Sequence, residues 1–314
     1  MNLDGPSGAS LTGTISSLYY IGGVVGGVAH GCFANRFGRK PSILFAFILL
    51  LVSQALLDGS VNVAMFIVFS FFVGMGGFQT VIGVGLWVTE LVPPRDRGKL
   101  TYIVPININF GYTIIGYVGV GFYMWDSAHA WRWPTAIAAF PGLISLAGFW
   151  WLPESLRYLM SRQRQDDAWK IIHGLHSDRN DPTDDFAKRE FYQIYQQIHF
   201  DRSLKTTFTD IFKRPSNRKR VIITVTLNYC VMSAGLLVIQ NYGVSLYAAL
   251  GYTGIESLLL QTGYTLLLLC VMLQRGRYDI HRPAPPKQND RHRICIPGHL
   301  PEYLHSLGRK FSRH

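Results

Sequence analysis

Charged side chains at the ends of long apolar runs are the residues of this chain whose types and spacing point to chemistry. They form four clusters: NRFGRK from Asn35 to Lys40, TELVPPRDRG from Thr89 to Gly98, PESLRYL from Pro153 to Leu159, and NRKR from Asn217 to Arg220. The second and third clusters each hold an acidic and a basic residue, as Glu90 with Arg97 and then Glu154 with Arg157. Opposite charges at helix ends can form ion pairs that tie those ends together.

Catalytic chemistry is not indicated anywhere in the sequence. The histidines are scattered, and no grouping of serine, histidine and acid or spacing of metal ligands stands out. Four cysteines without a pairing pattern are interpreted as packing residues: Cys32, Cys230, Cys270 and Cys295. We therefore expect a protein that is not an enzyme and that has no cofactor and no metal.

The elements that position the charged clusters are apolar helices. Asp, Glu, Lys and Arg are absent from 11–34, 59–89, 100–125, 133–152, 221–255 and 257–274. A membrane-spanning helix needs about 20 apolar residues. The run from Ser42 to Leu57 is shorter and is expected to use interfacial residues at its ends. The sequence thus predicts an all-α membrane protein with seven spanning helices.

Loop charge predicts how these helices are oriented. Basic connections (35–40, 95–99 and 154–220) alternate with nearly neutral ones (58–62, 125–133 and 249–253). Since basic loops stay in the cytosol, the C-terminus is predicted to be cytosolic and the N-terminus outside. The net charge of +11 is then explained by loops near anionic lipid headgroups, so membrane lipid is an expected partner and nucleic acid is not.

Four regions follow from this pattern. Residues 1–152 hold five helices, 153–220 form a cytosolic loop, 221–273 hold two helices, and 274–314 form a basic tail with the composition of a disordered segment. Within the loop, 166–176 and 186–200 have apolar residues at helical spacing, which predicts amphipathic helices lying against the cytosolic surface. The stretch around Pro182 between them is predicted to be a loop.

Six motifs, in order, resemble the sugar porter family of the major facilitator superfamily, and the fungal hexose transporters in particular. They are GCFANRFGRK, TELVPPRDRG, WRWP at 131–134, PESLRYL, EFYQI at 190–194 and VIQNYGVSLYAALGYTG at 238–254. The resemblance covers roughly residues 12 to 264. It implies a plasma-membrane transporter that moves a hexose-like sugar by alternating access.

The resemblance implies that the charged clusters form a cytosolic gate. Arg36, Arg39, Glu90, Arg97, Glu154 and Arg157 are the candidate gating charges. Breaking their ion pairs would open the cytosolic mouth. Lys40 and Lys99 are instead interpreted as loop anchors. Structural glycines that permit tight turns or close helix approach are predicted at Gly31, Gly38 and Gly98, and helix-packing glycines at 22–27 and 74–77.

A sugar site needs amides and aromatic rings at mid-membrane, between the two halves of the bundle. The candidates are Asn107, Asn109 and Tyr112 in one helix and Gln240, Asn241 and Tyr242 in another. Buried Asn and Gln in lipid also often serve only as hydrogen bonds between helices, so both interpretations stay open for each residue.

Departures from the family define an alternative function. The resemblance implies twelve helices, of which this chain would contain the second to the eighth. It would therefore form a partial major facilitator bundle. The tail at 274–314 is expected to be an artefact of the gene model. Ser70 stands where the family has an arginine, and Pro105 where it has a glutamine. The alternative is a non-transporting sensor or interaction protein derived from a sugar porter. A second copy or an intact homologous porter is then the expected partner.

Overall fold

The computed structural model describes residues 6–93, 97–125, 130, 132–176, 185–203, 215–252 and 254–281. Its α-helices are α1 (Pro6–Phe37), α2 (Arg39–Asp58), α3 (Val63–Leu91), α4 (Arg97–Thr101), α5 (Ile103–Tyr123), α6 (Arg132–Gly148), α7 (Leu156–Ser161), α8 (Gln165–His176), α9 (Asp185–Ser203), α10 (Pro215–Ser233), α11 (Leu236–Ala249) and α12 (Ile255–His281). A 3-10 turn at Phe149–Trp151 follows α6. These residues contain no strand, which confirms the predicted all-α class.

Seven helical segments among the described residues are long and apolar enough to cross a membrane, as predicted. They are α1, α2, α3, α4 with α5, α6 with its 3-10 turn, α10 with α11, and α12. The short second span does use residues at its ends, because α2 begins at Arg39 and ends at Asp58.

The sixth span differs from the single uninterrupted helix that the sequence predicts. α10 ends at Ser233, and α11 begins after Gly235, which has a φ of 77°. Glycine alone adopts this left-handed conformation without a steric penalty, so the helix breaks there. The break could not be predicted from the uncharged run 221–255, because the residues before and after Gly235 are equally apolar.

The last helix also runs further than predicted. α12 continues to His281, beyond the boundary expected at residue 273, and Gly276 packs against the ring of Tyr102, which lies between α4 and α5. An ideal Cβ at Gly276 would lie 3.2 Å from that ring, so the polar residues after Leu273 extend a packed helix. The remainder of the predicted tail, 282–314, lies outside the described residues.

Glycines bring α1 and α3 into backbone contact. An ideal Cβ at Gly22 would overlap the carbonyl oxygen of Phe71, one at Gly26 would overlap that of Met75, and one at Gly74 that of Tyr19. Small residues that allow helix backbones to approach are a main source of packing in membranes. The predicted packing role of the glycines at 22–27 and 74–77 is confirmed at these positions.

The loop predicted to be cytosolic forms a small helical domain. α8 and α9 confirm the two predicted helices, but their apolar faces pack against each other and against α7 instead of lying separately on the membrane surface. The core consists of Leu156, Leu159, Met160, Ala168, Ile172, Ala187 and Phe191, with Leu91 of α3 against it. The loop predicted around Pro182 lies outside the described residues.

Aromatic rings lie at the end of the bundle opposite the charged clusters. Phe122, Trp125 and Trp133 stack with ring centroids 5.6 to 6.4 Å apart. Arg132 donates a hydrogen bond from Nη2 to the carbonyl of Ser60, at 3.2 Å, and so joins α6 to the end of α2. Stacked tryptophans are typical of a membrane–water interface.

Candidate functional site

An ion pair between Arg39 and Glu90 is the centre of the charge cluster at the end of the bundle that is predicted to be cytosolic. Arg39 begins α2, and Glu90 lies in the last turn of α3. The Nε and Nη2 atoms of Arg39 each donate to a different carboxylate oxygen of Glu90, both at 2.9 Å. The two side chains are only 15% and 9% exposed. Such a two-bond arrangement is stronger and more directional than a single contact between charges.

A second carboxylate, that of Glu154, caps the first turn of α2. Its Oε1 atom accepts hydrogen bonds from the backbone N–H groups of Arg39 and Lys40, each at 3.0 Å. Helix N-termini present unpaired N–H groups and a partial positive charge, so a carboxylate is stabilising there. Gly38 precedes the helix with a φ of 109°, and a Cβ at this position would lie 2.6 Å from Glu154 Oε2. The carboxylate can approach because Gly38 has no side chain.

Ser155 connects the two carboxylates. It is fully buried, and its hydroxyl donates to Glu90 while its backbone N–H donates to Glu154 at 2.8 Å. The same hydroxyl oxygen accepts from the N–H of Tyr158 and so begins α7. The start of the cytosolic domain is therefore held to the ends of α2 and α3 by one hydrogen-bonded network.

The backbone at the end of α1 joins this network. The carbonyl of Arg36 accepts hydrogen bonds from the Tyr158 hydroxyl at 3.3 Å and from Arg162 Nη2 at 2.6 Å. The guanidinium of Arg162 also stacks over the ring of Tyr158, 5.5 Å from its centroid. Lys40, interpreted as an anchor, donates to the carbonyl of Trp150 at 3.3 Å. Four helices thus meet at this cluster.

The sequence indicates that these charges can pair between helices, but it does not assign their partners. Glu90 binds Arg39 and not Arg97, because Arg39 and Ser155 already occupy its oxygens. The Nε atom of Arg97 is buried and has no hydrogen-bond partner within the described part of the chain. Glu154 likewise binds backbone N–H groups rather than Arg157.

Arg157 and Arg36 lie at the edge of the cluster. Arg157 donates to the Gln197 side chain in α9, at 3.1 Å, and so ties α7 to α9. Arg36 contributes its carbonyl, and its guanidinium lies 5.7 Å from the centre of the Phe37 ring. Neither forms an ion pair with a residue that the structure describes.

Of the three predicted structural glycines, only Gly38 has a local need for glycine. No described atom lies within 4 Å of an ideal Cβ at Gly31 or at Gly98, and neither residue has a positive φ. Both lie within helices, and the described residues give no close approach at either position.

The predicted mid-membrane amides of α5 separate onto opposite sides of the helix. Asn109 is buried and donates from Nδ2 to the Thr265 carbonyl in α12, at 3.1 Å. Asn107 is exposed and donates to the carbonyl of Ile103 in its own helix, at 3.0 Å. Two residues apart, their side chains diverge by about 200° around the helix. Asn109 therefore joins the first five spans to the last two, and Asn107 does not.

Tyr20 and Asn241 form a second polar contact between these two sets of spans. Asn241 in α11 has its Nδ2 atom 2.8 Å from the hydroxyl of Tyr20 in α1. Tyr20 packs edge-on against Tyr19 and Phe78, with centroids 5.5 and 6.0 Å away. Asn241 thus contacts one aromatic group, here called the tyrosine cluster: Tyr19, Tyr20 and Phe78. The predicted Tyr112 of α5 is exposed and has no hydrogen bond or ring contact with this cluster among the described residues.

The sequence interpretation missed Tyr19, Tyr20 and Phe78. Their signal was a pair of adjacent tyrosines inside an apolar helix, because a phenol hydroxyl in lipid needs a partner. The remaining candidates, Gln240 and Tyr242, lie on α11 beside Asn241. The Gln240 carbonyl accepts from Gln261 Nε2 at 3.4 Å, and the Tyr242 side chain is exposed. No described contact places either with the tyrosine cluster.

Comparisons with known proteins agree with this architecture. A family model described as "Sugar (and other) transporter" matches residues 4–273. The MFS-type transporter criB of Aspergillus cristatus is 28% identical over 257 residues, covering 81% of this chain and 55% of its own length. Myo-inositol transporter 2 of Schizosaccharomyces pombe is 29% identical (80% and 45% covered), and the high-affinity glucose transporter of Kluyveromyces lactis is 27% identical (78% and 44%). The chain thus spans about half the length of these relatives.

Solved structures show the same fold. The proton:xylose symporter XylE bound to 6-bromo-6-deoxy-D-glucose superposes with a TM-score of 0.76 at 22% identity, covering 88% of this chain and 61% of XylE. The partially occluded inward-open form of XylE from E. coli gives a TM-score of 0.71, also at 22% identity, covering 90% and 65%. With the family model matching most of its length, the chain belongs to the sugar transporter family, the sugar porters of the major facilitator superfamily.

Proposed function

We propose that this protein takes part in moving a hexose-like sugar across a membrane by alternating access. Family membership supports transport, and relatives named for glucose and myo-inositol support a neutral polyhydroxylated substrate. Alternating access requires the two mouths of a transporter to open in turn around a central site. In this chain the charge cluster is suited to closing one mouth, and the tyrosine cluster is suited to forming part of the central site.

The observation that carries the proposal is the hydrogen-bonded network of the charge cluster. Arg39, Glu90 and Glu154 are held by short hydrogen bonds in partly buried positions, where a broken pair would be costly. An equilibrium between closed and open cytosolic mouths needs contacts that are either made together or lost together. Because Glu90 and Glu154 share Ser155, loss of one contact weakens the other.

The tyrosine cluster, with Asn241, is the proposed sugar-facing surface. Aromatic faces stack on the apolar faces of sugar rings, while phenol hydroxyls and an amide provide hydrogen bonds to sugar hydroxyls. Tyr20 and Asn241 lie on spans from the two different parts of the chain, so a sugar bound there would sense their relative movement. Asn109 is assigned to helix packing, since its amide already binds the Thr265 carbonyl.

We further propose that the protein resides in the plasma membrane with its C-terminus in the cytosol. Basic side chains gather at the end of the bundle that carries α7, α8 and α9, and stacked tryptophans mark the other end. Membrane lipid is therefore a partner on the apolar faces. A tag at the C-terminus should resist protease in intact cells and become accessible after permeabilisation.

Expression of the chain in cells that lack their own hexose transporters tests transport. Saturable uptake of labelled glucose, fructose or xylose, with membrane insertion verified in parallel, is the expected result. Uptake no greater than that of empty cells, despite correct insertion, would contradict the proposal for this chain.

A second candidate function is supported by one observation, the exposure of the sixth span. None of the residues in its apolar window is buried, and Val225 and Leu227 are 62% and 61% exposed. A second copy or an intact homologous porter would cover this surface. In that case the chain would act as a non-transporting sensor or interaction protein, and it would co-purify with a porter in mild detergent.

A further inference from the structure

Three polar side chains are buried inside the first three helices, the nearest of them about one helical turn from the charge cluster. His30 of α1 and Ser42 of α2 are each 1% exposed, and Gln79 of α3 is fully buried. The Oγ atom of Ser42 and the Nδ1 atom of His30 are 3.1 Å apart. Every residue of these three helices belongs to the described part of the chain.

The imidazole of His30 occupies space that Gly83 provides. An ideal Cβ at Gly83 would lie 2.6 Å from His30 Cε1 and 2.9 Å from Ile43 Cγ1. The ring is therefore enclosed between α2 and α3 with no room to turn towards lipid. Its second nitrogen, Nε2, is buried and has no hydrogen-bond partner among the described residues.

Gln79 lies on the side of α3 that faces α2 and His30. Gly76 contacts Leu50 of α2, and Gly83 contacts His30. Gln79 lies between these glycines at spacings of three and four residues, which places it on the same side of α3. Both of its amide atoms, Oε1 and Nε2, are buried without a partner in the described structure.

Three unpaired polar atoms in a lipid-embedded helix interface would be strongly destabilising, because each loses its bonds to water without replacement. Buried polar groups in folded proteins are nearly always satisfied, and a buried water typically makes about three hydrogen bonds. His30 Nε2 and the two amide atoms of Gln79 supply three partners, of which at least one donates and one accepts.

We propose that this interface is a binding site for a single water molecule, which links His30 of α1 to Gln79 of α3. Through Ser42 the link extends to α2, three residues beyond Arg39. The water-linked residues thus fix the relative positions of the three helices whose ends carry the cytosolic charge cluster.

Thermal unfolding of the full chain in lipid nanodiscs tests this site. Gln79→Met keeps the size of the side chain and removes its polar atoms. With a water bound between Gln79 and His30, we expect Gln79→Met and His30→Leu each to lower the melting midpoint of the chain by several degrees. We also expect the double variant to melt close to the less stable single variant, because either change removes the same link. Thr80→Val is the matched control, since the Thr80 hydroxyl donates only to the Gly76 carbonyl of its own helix.

A melting midpoint of Gln79→Met that is unchanged or raised would overturn the inference. If the three atoms were truly unpaired, replacing Gln79 with an apolar residue of the same shape would leave the midpoint unchanged or raise it. Additive shifts in the double variant would also contradict a shared water. Should His30→Leu fail to fold, the sign of the Gln79→Met shift still decides.

Discussion

The carboxylate of Glu154 occupies the space beside Gly38 in which a side chain would stand. Its Oε2 atom would lie 2.6 Å from a Cβ on Gly38, and its Oε1 atom accepts from the first two N–H groups of α2. A residue 116 positions away in the chain (154 − 38) thus provides the N-terminal cap that Gly38 itself cannot provide. The cytosolic domain is thereby held to the membrane bundle.

Replacement of Gly38 by alanine should break this cap. Alanine is strained at a φ of 109° and its Cβ would displace Glu154, so we expect a loss of about 1–3 kcal/mol in the free energy of unfolding. Denaturation of the detergent-solubilised chain measures the change. Gly31→Ala is the control, because its surroundings are open and its helical backbone favours alanine. Equal effects of the two substitutions would contradict the assigned role of Gly38.

The Arg39–Glu90 pair should behave as a coupled unit. Removing either side chain leaves a partly buried charge without its partner, so Arg39→Ala or Glu90→Ala is expected to cost about 2–4 kcal/mol. The double variant should cost clearly less than the sum of the two single variants.

Arg39→Lys and a surface pair provide the controls for that coupling. Lysine keeps the charge but cannot make the two-bond contact, so Arg39→Lys should still lose stability. The exposed pair Arg164–Asp167 should show a coupling below about 1 kcal/mol in the same assay. Strict additivity of the Arg39 and Glu90 substitutions would refute the ion pair.

Asn109 and Asn107 should differ in their effect on stability. Asn109→Leu removes the hydrogen bond to the Thr265 carbonyl, and bonds between membrane helices contribute about 0.6 kcal/mol on average, with a maximum near 1.7. Asn107→Leu removes only a bond within its own helix and should be neutral or stabilising. The measurement is the unfolding free energy in mixed micelles, and a larger loss for Asn107→Leu would disprove the assignment.

Tyr20→Phe should weaken sugar uptake if the tyrosine cluster faces the substrate. The change keeps the ring and removes the hydroxyl that contacts Asn241, so the KM should rise several-fold, in line with about 1 kcal/mol per lost hydrogen bond. Tyr117→Phe, another partly exposed tyrosine, is the control. An unchanged KM for Tyr20→Phe would exclude this hydroxyl from binding.

Much of the fold could be predicted from the sequence because membrane insertion depends on composition. Uncharged runs gave seven spans, and helical spacing of apolar residues gave α8 and α9. The break at Gly235 could not be predicted in the same way. It depends on a single backbone torsion angle, and an isolated glycine in an apolar run is usually tolerated within a helix.

The partners of the charged residues were harder to predict than their location. The sequence indicated that the charged residues can form ion pairs between helices, but it did not assign their partners. Tertiary packing brings Arg39 to Glu90, and it brings the backbone of α2 to Glu154. Contacts of this kind, between residues 51 and 115 positions apart, depend on how the helices pack and leave no local pattern.

Charge exchange at the cytosolic cluster, measured by sugar uptake, tests the account most directly. Labelled glucose uptake is compared for the unchanged chain, Arg39→Glu, Glu90→Arg and the double exchange, at equal membrane insertion. We predict saturable uptake by the unchanged chain, little uptake by either single variant, and partial recovery in the double exchange, because the pair is restored in reverse. Absence of uptake in the unchanged chain, or single variants that transport normally, would contradict a transporter gated by Arg39 and Glu90.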